Sequence, residues 1–232
     1  MLGNVSDADA NSAVAVAARD GDLELLKKLV VSRAALNTRN VDGKTPLMLA
    51  SRHGRLAAVQ TLLSGRANLR FRDAEGSTAL AEAAHHGHAD IVELLVAAKA
   101  PLNVENRQNQ TPLILATRAG HEYVVQLLVD AGADLDAYGA DGSTALTTAA
   151  STGLIDIVQT LVAAEAAWDV HNHAGETALI AAAPGGHADV VCILLAAGAD
   201  AEIANNDGAT ALDVAVAHPH AEVVELLRGS TR

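Results

Sequence analysis

The sequence predicts an all-α fold of stacked helix–turn–helix units, and three observations lead to that prediction. A threonine returns every 33 residues without a slip in phase, a glycine follows most of these threonines after nine residues, and paired aliphatic residues follow each glycine. A strict period of this length is typical of solenoids, in which each unit packs only against its neighbours. The threonines are Thr45, Thr78, Thr111, Thr144, Thr177 and Thr210, and Ser12 takes the same place one period earlier.

Each unit contains the signals for two helices. A threonine is a good N-cap, and a proline such as Pro46 suits the first helical position because its missing N–H would be unpaired there anyway. We expect Gly54 to end the inner helix in a left-handed conformation. The stretch from Arg55 to about Ser64 then forms the outer helix, with apolar residues at helical spacing.

The remaining columns complete a known pattern. Asp42-Gly43-Lys44-Thr45-Pro46-Leu47 begins one copy, Leu62-Leu63 lies in its outer helix, and Gly-His and Gly-Ala-Asp recur at Gly87-His88 and Gly132-Ala133-Asp134. This pattern resembles the ankyrin repeat over nearly all 232 residues. The resemblance implies a single ankyrin-repeat solenoid domain with short hairpin tips. Its units are an N-terminal capping repeat at 1–39, internal repeats at 40–72, 73–105, 106–138, 139–171 and 172–204, and a C-terminal capping repeat at 205–232.

Composition narrows the class of function. The sequence contains no nucleophile elbow, no phosphate-binding glycine loop and no metal-protease motif, so we expect no enzyme activity, no cofactor and no metal. The first residues lack a basic and an apolar region, and the longest apolar run, of about ten residues, is too short for a bilayer. We therefore expect a monomer in the cytoplasm, with the nucleus as the alternative, that binds neither membranes nor nucleic acid.

Charge is distributed unevenly along the chain. Residues 1–119 contain 14 Lys and Arg against 12 Asp and Glu, whereas residues 120–232 contain 2 against 16. Two interpretations stay open for the acidic half: solubility, or a role in choosing partners. The asymmetry would also permit head-to-tail self-association that weakens with salt.

The resemblance also indicates which positions meet a partner. Ankyrin repeats usually bind through the hairpin tips and the exposed ends of the inner helices, which line a concave face. Arginine suits such a face because it forms paired hydrogen bonds with carboxylates and phosphates. The alternative is that these arginines are ordinary solvated residues that pair with Glu75, Glu82 or Glu105. The candidate partner-binding residues are Arg19, Arg39, Arg52, His53, Arg72, His85, His86, Arg118, Tyr138 and His171.

Histidines require a separate interpretation. His88, His121 and His187 fill the Gly-His column, which predicts a structural role. The denser cluster from His85 to His88 could bind a transition metal, but it lacks nearby carboxylate or cysteine ligands, and adjacent histidines on a helix point apart. We therefore do not expect a metal site.

The sequence as a whole predicts a non-enzymatic protein–protein interaction module, an adaptor or scaffold. The expected partner is another protein, with an acidic or phosphorylated segment that binds the concave face. The alternative is a small anionic or nucleotide ligand in the same basic groove, where Phe71 and Tyr138 would supply aromatic stacking. A third possibility, from a different class, is an enzyme or metal protein built on the cluster from His85 to His88.

Overall fold

The computed structural model describes residues 7–31, 36–218 and 220–230, without the side chains of residues 7–12. The chain divides into two compact units, Met1–Arg107 and Gln108–Arg232, which are described separately. The described part of the first unit contains six helices: α1 (Asp7–Asp20), α2 (Leu23–Val31), α3 (Pro46–Arg52), α4 (Leu56–Ser64), α5 (Ala79–His85) and α6 (Ala89–Ala97). The described part of the second contains eight: α7 (Pro112–Arg118), α8 (Glu122–Asp130), α9 (Ala145–Thr152), α10 (Ile155–Ala163), α11 (Ala178–Ala182), α12 (Ala188–Ala197), α13 (Ala211–Val216) and α14 (Ala221–Ser230).

Each unit has two helical layers. In the first unit the inner helices α1, α3 and α5 pack in succession, and the outer helices α2, α4 and α6 pack beside them. The second unit repeats this arrangement with α7, α9, α11 and α13 inside and α8, α10, α12 and α14 outside. The core between the layers consists of small aliphatic side chains, of which Leu62, Leu95, Leu128 and Leu161 are fully buried members of one column. The predicted all-α ankyrin-repeat solenoid is confirmed.

Threonine capping starts every inner helix after the first. The hydroxyl oxygen of Thr45 accepts a hydrogen bond from the Met48 amide at 3.3 Å, and that of Thr78 accepts one from the Ala81 amide at 3.2 Å. Pro46 occupies the first turn of α3, as expected. The cap works because an N-terminal amide has no partner within its own helix.

The first helix differs from the prediction. It begins at Asp7 rather than at Ser12, so Ser12 lies inside α1 and does not cap it. The physical reason is that alanines precede Ser12, whereas the other repeats have a hairpin tip at this point. Alanine favours continuation of the helix. The polar side chains of Asp7, Asp9 and Asn11, expected on the outer face of the cap, lie outside the described residues.

Residues of the Gly-His column join one repeat to the repeat before it. The Nε2–H of His88 donates a hydrogen bond to the Arg52 carbonyl at 3.0 Å, and its ring lies so close to Gly54 that a Cβ there would be 2.7 Å from the ring. Gly54 itself has a φ of 68°, the left-handed conformation that the sequence predicts. The structural role predicted for His88 is therefore confirmed.

Three further features bear on the prediction. The helix α11 is only five residues long, because Pro184 follows it, as the sequence indicates. Within the described ranges there is no strand, only an isolated bridge between Ala204 and Thr210. None of the helices described there has the length and apolar character needed to cross a membrane.

Candidate functional site

Positive charge converges on His53 in the first unit. His53 caps the C-terminal end of α3, next to Arg52 in the last turn. Partial burial and the charges of Arg52, Arg55, Arg19 and His86 lower the pKa of His53 below its ordinary value. Of the five residues, all except Arg55 are among the partner-binding residues that the sequence predicts. The sequence had a signal for Arg55, since it replaces the histidine of the Gly-His column.

The arginines of this cluster are held by specific partners. Arg19 donates to both carboxylate oxygens of Asp20, at 2.7 and 3.2 Å, on an exposed surface. The Nε–H of Arg55 donates to the Arg19 carbonyl at 3.0 Å, which positions Arg55 where His88 stands one repeat later. The side chains of Arg19 and Arg52 nevertheless stay 49% and 42% exposed, so both can reach a ligand.

Beneath this cluster lies a charge network that sequence reasoning missed. Glu82 is only 5% exposed, and it occupies the buried column that holds Leu49 one repeat earlier. Its carboxylate accepts hydrogen bonds from Lys44, and from Arg52 at 3.3 Å. Lys44 also donates to the buried carboxylate of Asp73. Burial works against the charged lysine, yet the two carboxylates raise the pKa of Lys44 above its ordinary value.

The network answers one question left open by the sequence. Of the three glutamates considered as arginine partners, Glu82 pairs with Arg52 through its carboxylate. The guanidinium of Arg72 instead bonds backbone carbonyls, those of Gly76 at 3.0 Å and Glu105 at 2.5 Å. Arg72 therefore fastens one hairpin tip to the next, a structural contact that would compete with binding a partner.

Arg39 is also engaged within the protein. Its guanidinium carbon lies 4.8 Å from the centre of the Phe71 ring, the geometry of a cation–π contact. One face of Phe71 is thereby covered, which leaves less room for the aromatic stacking that a nucleotide ligand would require.

The histidine cluster is arranged for packing. His85 is exposed, and its ring meets the ring of His86 edge-on, with centroids 4.9 Å apart. The Nδ1–H of His86 donates to the Glu82 carbonyl at 2.9 Å, and His88 donates to a backbone carbonyl as described above. No group of three potential metal ligands comes together in the part of the chain that the structure describes.

Three of the predicted residues belong to the second unit. Arg118 ends α7 and is exposed, and Tyr138 is 52% exposed beside the hairpin tip that begins at Gly139. His171 is exposed at the following tip. This unit is strongly acidic, since residues 108–232 contain 3 Lys and Arg against 16 Asp and Glu, whereas residues 1–107 contain 13 against 12.

Comparison with known families decides the identity of the fold. The model of the ankyrin repeats family matches in three copies, over residues 14–106, 98–170 and 162–231. The chain belongs to the ankyrin repeat family. A search of curated proteins gave no match. Ankyrin repeats generally mediate binding between proteins, and ankyrin repeat domains are typically non-enzymatic.

Solved ankyrin structures resemble the whole chain. The ankyrin repeat domain of Bcl-3, described as a unique member of the IkappaB protein family, is 28% identical with a TM-score of 0.84. The alignment covers 94% of this chain and 98% of that one. The ankyrin repeat domain of human ASB11 is 26% identical with a TM-score of 0.82, and the alignment covers 94% and 97% of the two chains.

Proposed function

We propose that this ankyrin-repeat protein is a non-enzymatic adaptor that binds an acidic or phosphorylated segment of a partner protein. The observation that carries the proposal is the convergence of Arg19, Arg52, Arg55 and His86 on His53. Arg19, Arg52 and His86 stand at the ends of inner helices, and Arg55 precedes the outer helix α4. The ends of the inner helices are the positions through which ankyrin repeats usually bind. Like charges brought together in this way do not help folding, so a ligand that neutralises them gives a reason for their proximity.

The internal partners of the cluster support an anionic ligand. Asp20 and Glu82 are carboxylates, and each bonds an arginine whose side chain is still half exposed. A carboxylate or phosphate from a partner can therefore add to, or exchange with, contacts of the same chemistry. Arg72 and Arg39 support this surface by fixing the hairpin tips. Arg118, Tyr138 and His171 are proposed as further contacts in the second unit.

The proposal can be tested with peptides of random sequence. The full chain would be used to select from a displayed library of 12-residue peptides, and the best peptides would be synthesised and titrated by fluorescence anisotropy. We expect selected peptides rich in Asp and Glu, with tighter binding when a serine in them is phosphorylated. Binding should weaken as salt rises, since exposed charges are screened over about 8 Å at physiological ionic strength.

A matched pair of double variants isolates the cluster. Arg19→Gln/Arg52→Gln removes two charges that act on His53, whereas Arg70→Gln/Arg107→Gln removes two exposed charges that do not. Each half-exposed arginine contact contributes about 0.5–1 kcal/mol, so the first variant should weaken binding about 5- to 30-fold. The second should stay within about twofold of the unmodified chain. Selected peptides without acidic enrichment, or equal losses in both variants, would refute the proposal.

A further inference from the structure

One hairpin tip of the second unit lacks a side chain that most of the other tips carry. The first position of the tip is an asparagine or aspartate in five repeats, and its side chain closes the turn, as when Asn172 accepts the Glu176 amide at 3.0 Å. In the remaining repeat this position is Gly139. Its backbone lies outside the left-handed region that favours glycine, so the conformation alone does not require glycine there. Asp141 takes over the bond to the turn, accepting the Ser143 amide at 3.1 Å.

A depression lies beside this tip, lined by the tip, by the preceding tip and by the inner helices α7 and α9. Its volume is about 240 Å³, and it lies wholly within the second unit. This volume is below the roughly 300–1,000 Å³ that is usual for small-molecule sites, which suits a single side chain better than a nucleotide. Its lining combines polar side chains with the apolar residues Ile114 and Ala140. The lining residues are Gln108, Gln110, Ile114, Arg118, Gly139, Ala140, Asp141, Ser143 and Thr148.

Two opposite charges, those of Arg118 and Asp141, line this depression. Arg118 comes from the last turn of α7, and no hydrogen bond or ion pair joins it to Asp141 or to another residue that the structure describes. The two groups still interact: although partial burial opposes it, hydrogen bonds from Ser143 and the charge of Arg118 lower the pKa of Asp141 below its ordinary value. A group that enters the depression therefore meets a positively charged hydrogen-bond donor and a negatively charged hydrogen-bond acceptor.

A neutral carboxamide can bond both charged groups. Its carbonyl oxygen can accept from the Arg118 guanidinium while its NH₂ donates to the Asp141 carboxylate. A carboxylate would be attracted by Arg118 but repelled by Asp141. A guanidinium would be attracted by Asp141 but repelled by Arg118. From this arrangement we infer that the depression holds the side chain of a glutamine or asparagine from the partner segment. The inference rests on the proposed function, since it requires a protein partner, but it concerns different residues from the cluster around His53.

The test uses blocked amino acids as probes. N-acetyl-glutamine-N-methylamide would be titrated into the isotopically labelled full chain, and the Arg118 Nε–H, Gln110 side-chain NH₂ and Ser143 backbone amide would be followed by NMR. The glutamate, arginine and alanine derivatives of the same compound serve as comparisons. We expect saturable shifts of all three signals with the glutamine derivative, and at least about fivefold weaker binding of each of the others, a difference of about 1 kcal/mol.

Three variants separate this role from a purely structural one. Gly139→Asn puts back the side chain of the other tips, and it should abolish the shifts while the fold is kept, because a Cβ there approaches only the flexible Asp141 carboxylate at 3.2 Å and a carbonyl at 3.4 Å. Asp141→Asn keeps the acceptor for the Ser143 amide but removes the charge, so the preference should move to the glutamate derivative. Arg118→Gln should move it to the arginine derivative.

The outcomes are distinct. Tightest binding of the glutamate or arginine derivative to the unmodified chain would overturn the inference in favour of an ionic site. Equal shifts with the alanine derivative would indicate recognition of the main-chain amide only. Absence of shifts up to the solubility limit would show that the depression holds no ligand of this class. None of these results depends on the Arg19→Gln/Arg52→Gln variant, so failure here leaves the proposed function standing. Failure of the proposed function would instead be seen in the peptide titrations with that variant.

Discussion

Two glycines at the same repeat position differ in one neighbour, and that difference predicts unequal effects of the same substitution. Gly120 and Gly153 both have a φ of 73°, and both follow an inner helix of the second unit. A Cβ on Gly120 would find only the Leu154 side chain, at 3.9 Å. A Cβ on Gly153 would lie 2.4 Å from Nδ1 of His187, whose ring also packs close to Gly185.

The structure gives the size of each effect. Gly120→Ala brings only the penalty of a left-handed alanine, about 1–2 kcal/mol in the free energy of unfolding. Gly153→Ala brings the same penalty and also forces the His187 ring out of its place, an overpacking effect of about 1–3 kcal/mol. We therefore expect Gly153→Ala to be the more destabilising by about 1–3 kcal/mol, which corresponds to about 2–12 °C in melting temperature for a chain of this length.

Urea unfolding measures this difference. Circular dichroism would follow the helices, and the fluorescence of the single tryptophan, Trp168, would follow the second unit. His187→Leu reproduces the neighbour that Gly120 has, so in a double-mutant cycle it should restore most of the additional loss caused by Gly153→Ala. Equal destabilisation by the two alanine substitutions, or absence of coupling to His187, would refute the packing role assigned to the Gly-His column.

Three further predictions concern capping and charge. Thr111→Ala should lower the free energy of unfolding by about 1 kcal/mol, whereas Thr111→Ser should retain the cap; equal losses in urea unfolding would contradict the capping role. Glu82→Leu should be about 2 kcal/mol more destabilising than Glu82→Gln, because leucine leaves Lys44 and Arg52 without the acceptor, and the reverse order in thermal unfolding would count against the network. Finally, because partial burial and neighbouring charges lower the pKa of His53, its protonation should reduce stability as pH falls below about 6.5, the ordinary pKa of histidine. Arg52→Gln should raise the NMR titration midpoint of His53, whereas Arg52→Lys should not, and an unchanged midpoint in the glutamine variant would disprove the convergence of charge.

The fold could be predicted because its causes are local. A threonine cap, a proline in the first turn and a glycine after the helix each act within a few residues, so Thr45, Pro46 and Gly54 have the same roles in the structure as in the sequence. The prediction for Ser12 was wrong, and the cause is again local. Its place in the threonine column predicted a helix start, but the alanines before it extend the helix.

The candidate site could be predicted only in part. The repeat register placed Arg19, Arg52 and His53 on one face, but it could not show what each side chain bonds. Arg72 was assigned to partner binding, yet it holds the backbone of two hairpin tips. Long side chains such as arginine reach several angstroms from their Cα, so their partners depend on the packing of the next repeat.

The sequence by itself determined the repeat, its period and the column positions of the candidate partner-binding residues, because periodic apolar residues and caps act within one repeat. Only the tertiary structure decided what those side chains contact. It joined Lys44 and Arg52 to a glutamate that replaces a leucine in a buried column, and it brought Arg118 and Asp141 to one depression beside Gly139. These features arise between neighbouring repeats, where residues about thirty or more positions apart come into contact, and local signals do not encode such contacts.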